Sequence, residues 1–283
     1  RLNSIENFGS MDVLCTDKTG TLTEGSVRLD GALDTHGQPS DTVLHLAYLN
    51  AQYQTGLENS LDTEIISTAQ KAGLDISNDK KVDEIPYDFI RKRLSVVSAD
   101  SNGVCTLITK GALDNILKIS ASYLTSNAIL PMDAKVRSEI EKRYSDWSEK
   151  GFRVLGLATK TVDKVTHPFS EKDEKDLIFT GFLLFFDPPK ADASQVIVDL
   201  ASRGVELKII TGDNQKVARH VAEAVNLSLK GVLTGSQLND LKDEALWHLA
   251  ERTTLFAEVD PNQKERIILA LKKTGHVVGY MGD

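Results

Sequence analysis

With 283 residues the chain has room for one large or two ordinary domains, and 41 acidic against 33 basic residues leave a net charge of −8 with both signs scattered. That scatter excludes the basic stripe of a nucleic-acid-binding surface. Only two cysteines, Cys15 and Cys105, are present and they lie far apart, so no disulfide framework is expected and a reducing cytoplasm fits.

In chain order, Met11–Thr16 is the first informative element: a mostly apolar run of strand length, as in a strand buried between helices. Asp17 follows directly and therefore projects from the carboxyl end of a parallel strand, where open α/β sheets place their chemistry. A carboxylate there, followed by Lys18 and the turn Thr19-Gly20-Thr21-Leu22-Thr23, suits attack on a phosphoryl group. A lone Asp would be read as a turn cap; the ordered run of seven residues decides against that.

Residues 27–186 differ in texture and read as an inserted α+β domain, with 1–26 and 187–283 forming one α/β domain around it. The insertion opens with a helix carrying Val43, Leu44, Ala47 and Tyr48, and a second helix lies near 62–72. A hairpin joins 93–98 to 104–109 across Asp100–Gly103, with Asn102-Gly103 as its turn signal. Segments 154–158 and 177–186 supply further strands. The densest apolar stretch, Ile178–Phe186, is far shorter than the ~20 residues of a bilayer span, and no signal peptide opens the chain. Glu24–Arg28 and Asp187–Lys190 are the expected hinge, the second crossing stiffened by Pro188 and Pro189.

After the insertion, strands at 207–210, 254–257 and 277–281 alternate with helices at 190–203, 214–226 and 262–273. Ala193, Val196, Ile197 and Leu200 mark the inward face of the first helix, which Gly204 ends. Val217, Ala218, Val221, Ala222 and Val225 mark the second, capped by Asp213 or Asn214. Ile267, Ile268 and Leu271 mark the third. This alternation predicts a parallel, doubly wound sheet.

Further groups carry chemistry. Thr211-Gly212-Asp213 is a strand-to-helix turn of the kind that receives phosphate, although an Asp there alone reads as a cap. Lys264 lies in the first turn of a helix that Pro261 starts, where the dipole disfavours a cation; an isolated lysine is more often a solvated surface charge. Asp17 and Asp283, at the ends of separate strands, suit a shared Mg²⁺. In the insertion, residues 85–96 bring two aromatics and three cations together, Lys110-Gly111-Ala112 ends a hairpin strand, and Gly151-Phe152-Arg153 begins another. Rings stack on bases, cations meet phosphates and glycine permits close approach, but by themselves these are ordinary hairpin residues.

The run from Asp17 to Thr23 resembles the phosphorylation motif of the P-type ATPases, ion pumps that pass through an aspartyl-phosphate. The wider class is the haloacid-dehalogenase-like phosphotransferases. Phosphatases of that class carry a second Asp two residues after the nucleophile; Thr19 stands there instead and activates water poorly. The resemblance implies a haloacid-dehalogenase-like doubly wound parallel sheet, truncated at its C-terminus, with an inserted antiparallel α+β nucleotide-binding domain. It implies Asp17 as nucleophile, Lys18, Thr211, Gly212, Asp213 and Lys264 around the transferring phosphoryl group, and a Mg²⁺ site of Asp17, the Thr19 carbonyl and Asp283.

By the same resemblance Tyr87 stacks on adenine five residues before the basic Lys92, with Phe89 the competing ring. Lys110-Gly111 and Arg153 match the family's Lys-Gly-Ala and Gly-x-Arg segments, and Asp62 maps onto an acidic contact to the adenine amino group. Asp187 matches the Asp of an Asp-Pro-Pro-Arg hinge, with Lys190 replacing Arg, which keeps the charge but loses bidentate geometry. ATP and Mg²⁺ are the implied ligands, and transmembrane and actuator domains of the same polypeptide the implied partners. Since Met281-Gly282-Asp283 stops inside a family Met-Gly-Asp-Gly-x-Asn-Asp segment, the chain is expected to be a soluble, monomeric piece of a pump working at the cytoplasmic face of a bacterial plasma membrane. Leu44–Asp62 and Tyr87-Asp88-Phe89 before Arg91-Lys92-Arg93 look like the bacterial magnesium-importing ATPases. Two alternatives stay open: a small-molecule phosphatase of the same superfamily, and a non-catalytic nucleotide-binding module.

Overall fold

A computed structural model of the protein describes residues 9–56, 59–126, 128–162 and 168–282. The elements run β1 (Val13–Thr16), β2 (Arg28–Asp34), α1 (Asp41–Tyr53), α2 (Ser60–Lys71), β3 (Lys80–Asp88), β4 (Arg93–Ala99), β5 (Cys105–Ala112), α3 (Leu113–Leu117), β6 (Ser120–Leu124) and β7 (Ile129–Pro131). Then follow α4 (Ala134–Glu149), β8 (Arg153–Val162), a 3-10 turn (Glu171–Asp173), β9 (Leu177–Phe186), α5 (Ala193–Ser202), β10 (Glu206–Ile210) and α6 (Gln215–Ala224). The chain closes with β11 (Val232–Thr234), α7 (Gly235–Asp240), α8 (Asp243–Arg252), β12 (Leu255–Ala257), α9 (Pro261–Lys273) and β13 (Val278–Met281). By compactness, the described residues up to Ser26, residues 148–153 and those from Asp187 onward form one unit, and 27–147 with 154–186 a second.

In the first unit five strands pair in the order β11-β12-β10-β1-β13, parallel throughout. Strands this apolar are buried on both faces, and period-two alternation sorts their side chains. Val13, Cys15, Ile210 and Phe256 pack under Leu246, Ala250, Ile267 and Leu271 on one side. Leu207, Ile209, Leu255 and Ala257 pack under Ala218, Val221 and Ala222 on the other. Lys208 interrupts the apolar pattern of β10 and is fully buried; its Nζ donates to the carbonyls of Glu251 and Thr253, 2.9 Å each, satisfying acceptors at the carboxyl end of α8. The strand order reverses at β1, so the crevice that such sheets use opens at its carboxyl end.

Two expectations needed correcting here. Val196, an expected inward position of α5, is half exposed at the border of a cavity of about 170 Å³, while Ile197 and Leu200 of the same helix pack against the sheet. The helix itself is shorter than 190–203 at its start, since Lys190 is committed to a backbone pairing with Leu22. Of the two expected caps of α6, Asn214 is the one formed, its Oδ1 accepting from the Lys216 amide at 2.8 Å.

In the second unit β3-β4-β5-β8-β9 run side by side, with β2 and β6 sharing the far edge of β9 and β7 beyond β6. β2 with β9, β3 with β4, β4 with β5, β5 with β8 and β6 with β7 pair antiparallel, and β6 with β9 parallel. The β4–β5 hairpin closes on Asp100, whose Oδ1 accepts from the amides of Asn102 and Val104 while Gly103 takes φ +79°. Helices α1 and α2 cover one face, packing Val43, Ala47, Ile65 and Ala69 on Ile108, Leu157, Leu183 and Phe185. Phe182 points the other way and meets Trp147 of α4 and Phe179 edge-to-face at 5.0 and 5.1 Å. No described helix is long and apolar enough to cross a membrane.

Gly181 sits where β9 meets the end of β2. A Cβ there would lie 2.1 Å from the Leu33 carbonyl oxygen and 2.7 Å from Val43 Cγ2. Gly181→Ala should lower stability by roughly 1–3 kcal/mol through overpacking, seen as an earlier urea midpoint in Trp147 fluorescence; an unshifted midpoint would show that the sheet relaxes freely here.

Candidate functional site

The carboxyl ends of β1 and β10 bring four charged side chains together. Asp17 follows β1 and its own amide is anchored to the Met281 carbonyl at 2.9 Å, so the edge strand β13 helps set its position. Its Oδ1 accepts the Lys18 amide at 2.7 Å and its Oδ2 is paired with Lys264 Nζ. Lys264 comes from the start of α9, which Pro261 and a reciprocal capping box between Asp260 and Gln263 define. The cation disfavoured by its helix is thus held by the carboxylate it faces.

Lys18 is buried, and its Nζ lies 2.7 Å from Asp213 Oδ2 and 3.9 Å from Asp187 Oδ2. With Asn214 as the cap, Asp213 is released from capping and points at Lys18. Its amide donates to Thr211 Oγ1 at 3.2 Å, and Thr211 is itself buried, while Gly212 at the crest of the turn is exposed. Burial alone would raise the Asp213 carboxyl; the Lys18 ammonium outweighs it and holds the pKa below the ordinary aspartate value. Gly20 takes φ +71°, and the amides of Leu22 and Thr23 return to the Lys18 carbonyl, closing the turn that presents Asp17 and Thr19.

Asp187 serves the crossing between segments. Its carboxylate accepts from the Gly25 amide at 3.0 Å and from Thr23 Oγ1, while Glu24 and Lys190 exchange backbone bonds with Pro188 and Leu22. Lys190 Nζ reaches the Gly20 carbonyl at 2.9 Å. Cys15, one strand position before Thr16, has its thiol pushed up to about 12 by burial, so it carries no thiolate at neutral pH.

Asp283 lies outside the described residues. Among the described residues no group of three or more His, Cys, Asp or Glu side chains is arranged to hold a metal. The oxygen donors of Asp17 and Thr19 suit a hard cation that takes one or two carboxylates and fills its shell with phosphate and water.

The second unit holds the other expected residues except Arg153. Asp62 and Lys110 are both buried and form an ion pair, and Asn59 orients Asp62 by donating to its Oδ2 at 2.7 Å and accepting its amide at 3.0 Å. Burial pushes the Lys110 ammonium pKa down, with Asp62 opposing. Tyr87 and Phe89 are exposed and edge-to-face at 5.4 Å. Lys92 is exposed and left-handed, φ +50°. A Cβ on Gly111 would lie 2.4 Å from the Lys92 carbonyl oxygen, so only glycine allows this approach. Register places Arg93 opposite Gly111 and Leu155 opposite Ala112, which puts Lys92, Gly111 and the start of β8 at one end of three neighbouring strands. Arg153 opens β8 but belongs to the first unit, where its half-exposed guanidinium lies 3.6 Å from Asp213 Oδ1. Sequence reasoning missed Asn59 and the buried Glu174; the Asn59-x-x-Asp62 spacing at a helix start is a capping signal that could have found the first.

A family model described as the cytoplasmic domain N of P-type ATPases matches residues 4–192, about two thirds of the chain. The chain belongs to the P-type ATPases. Along its whole length it is 43% identical to the "Magnesium-transporting ATPase, P-type 1" of Salmonella typhimurium strain LT2 and 42% identical to that of Escherichia coli strain K12, covering 32% of each. It is 28% identical to the "Calcium-transporting ATPase 1" of Saccharomyces cerevisiae, covering 34% of it. The chain thus spans about a third of the length of the curated relatives it matches.

In this P-type ATPase chain the Lys18–Asp213 pair has a defined pH signature. Since the Asp213 pKa is depressed, the pair's contribution is complete above the ordinary aspartate pKa, ~3.9, and is lost as pH falls through the depressed value. Lys18→Met removes the nearer cation from a largely buried carboxylate, leaving Arg153 Nη1 at 3.6 Å from its Oδ1, and should cost about 3 kcal/mol at neutral pH, the low end for breaking a buried pair. The deficit, read from urea midpoints between pH 3 and 7, should shrink below about pH 4; a deficit that stays constant would mean Asp213 is not the group being balanced.

Proposed function

We propose that the chain is the catalytic cytoplasmic part of an ATP-driven cation transporter, with Mg²⁺ the transported ion. The second unit binds ATP and Asp17 accepts the γ-phosphoryl group. The observation that carries this reading is the meeting of Asp17, Lys18, Asp213 and Lys264 at the carboxyl ends of a parallel sheet. In this proposal residues 1–26 and 187–283 are a haloacid-dehalogenase-like phosphorylation domain and 27–186 the inserted nucleotide-binding domain, hinged at 24–28 and 187–190. The ion rests on the names of the bacterial relatives, whose magnesium-transporting members match at 38–43% identity against 28% for the yeast calcium transporter. Transmembrane and actuator domains of the same polypeptide are the partners, at the cytoplasmic face of a bacterial plasma membrane.

An Asp17 carboxylate oxygen attacks the γ-phosphorus; the new O–P bond forms as the bond to the β–γ bridging oxygen breaks, and ADP departs. Lys264, paired with Asp17 before the reaction, shifts its charge to the phosphoryl oxygens as the carboxylate is consumed. Lys18, fixed by Asp213, and the Thr211 turn supply further positive potential and donors. Mg²⁺ held by Asp17, the Thr19 carbonyl and Asp283 would screen the carboxylate from the polyphosphate. Thr19 offers no general base, so the acyl phosphate persists until water is delivered by another domain.

On the nucleotide side, Tyr87 supplies the stacking face, Asp62 with its partner Lys110 meets the adenine, and Lys92 and Arg153 meet phosphate or ribose, with Gly111 allowing close approach. Tyr87→Ala should weaken ATP binding to the 283-residue chain about tenfold in calorimetric titration, the scale of a lost base–aromatic stack, and Phe89→Ala much less. Both side chains are exposed, so neither change should move the thermal midpoint. Equal, negligible effects would remove the adenine site from this turn.

A further inference from the structure

Three cations stand in a row at Arg91-Lys92-Arg93, and the structure commits them differently. Glu174, which follows the 3-10 turn before β9, has a side chain with no solvent exposure. Its Oε2 accepts from Arg91 Nη1 at 2.6 Å and from Arg93 Nε at 2.7 Å, and its Oε1 from Ser95 Oγ at 2.7 Å. Ser95 shares a further bond with Thr109 Oγ1 at 2.8 Å, so the carboxylate is tied across β4 and β5. A buried carboxylate with this many charge-assisted bonds is a rigid anchor.

The anchor reaches the exposed turn between β3 and β4. Arg91 also donates from Nη2 to the Pro86 carbonyl at 2.9 Å, beside Tyr87, and the Asp88 carboxylate accepts the amides of Ile90 and Arg91. Lys92 is caught between two arginines drawn toward the same carboxylate, and it takes the left-handed backbone, φ +50°, that side chains other than glycine rarely adopt. Its amide donates to Asp88 and its carbonyl accepts from Ala112. Such strain persists only where surrounding contacts over-determine it, and it gathers at functional sites. Glu174 neutralises the two flanking arginines and leaves Lys92 as the member of the run with no ion pair among the described residues.

We propose that Glu174 is a positioning residue for the nucleotide subsite: by gripping Arg91 and Arg93 it holds Lys92 in its strained conformation and presents that ammonium, with the Tyr87 ring, to the anionic nucleotide. Glu174 itself touches no ligand. The proposal rests on the nucleotide-binding reading above and adds to it a residue more than 80 positions away in sequence.

The test is a double-mutant cycle in ATP affinity, measured calorimetrically on the 283-residue chain as wild type, Glu174→Gln, Lys92→Ala and the double variant. Each single change should weaken ATP about tenfold, and the double variant should bind no more weakly than either single one, because Glu174 acts through Lys92. A merely structural role predicts effects that multiply, and that result, or unchanged affinity in Glu174→Gln, overturns the proposal. If Glu174→Gln does not fold, Arg91→Gln replaces it in the same cycle, since Arg93 and Ser95 still satisfy the carboxylate, and the same two outcomes decide. Wild-type protein that binds no ATP would refute the nucleotide reading and the positioning role together, whereas ATP binding with multiplicative effects refutes the positioning role alone.

Discussion

The Lys18 ammonium holds the first unit's crevice together. It is a buried cation with two carboxylates in reach, Asp213 at 2.7 Å and Asp187 at 3.9 Å, and each belongs to a different segment. Through Asp213 it fixes the turn after β10; through Asp187 it faces the paired segments 22–25 and 187–190. Its own backbone carbonyl closes the turn that carries Thr19 and Gly20. A buried charge is tolerated only when paired, so these segments are obliged to meet. The consequence is that Asp17, one residue earlier, is presented at a set place with Lys264 across from it.

Buried charge organises the second unit in the same way but at two points. Asp62 and Lys110 pair beneath the end of β5, and Glu174 gathers Arg91 and Arg93 beside β4. The Glu174 cluster reaches the exposed turn that carries Tyr87, Phe89 and Lys92 through the bond of Arg91 to the Pro86 carbonyl. A rigid base limits the ordering that such a turn would need on binding a ligand. The strained Lys92 and the close approach of Gly111 belong to the same economy of space.

Much of this was legible in the chain itself because the signals were local. The apolar run before Asp17, the Asn102-Gly103 turn and the inward faces of α1, α6 and α9 each depend on a few neighbouring residues. The parallel sheet of the first unit follows from strands and helices that alternate. Helix α4 escaped notice because it is polar on most of its surface, although Val136, Ile140, Tyr144 and Trp147 do recur near helical spacing. Strands β2, β7 and β11 are short or only half-buried, so their apolar content is too thin to register before a partner strand completes them. Glu174 could not be singled out from sequence, as its meaning depends on arginines some 80 positions away that only the folded sheet brings to it. Val196 shows the converse: its spacing promised burial, yet the helix rests on Ile197 and Leu200 and leaves it half exposed.

The decisive measurement is transfer of labelled γ-phosphate from ATP to the full-length protein, quenched in acid and then treated with hydroxylamine. An acid-stable, hydroxylamine-labile label that vanishes in Asp17→Asn is the predicted result, since an acyl phosphate on that carboxylate is the only product the proposed chemistry allows. Label that survives Asp17→Asn, or steady phosphate release with no labelled protein, would contradict it.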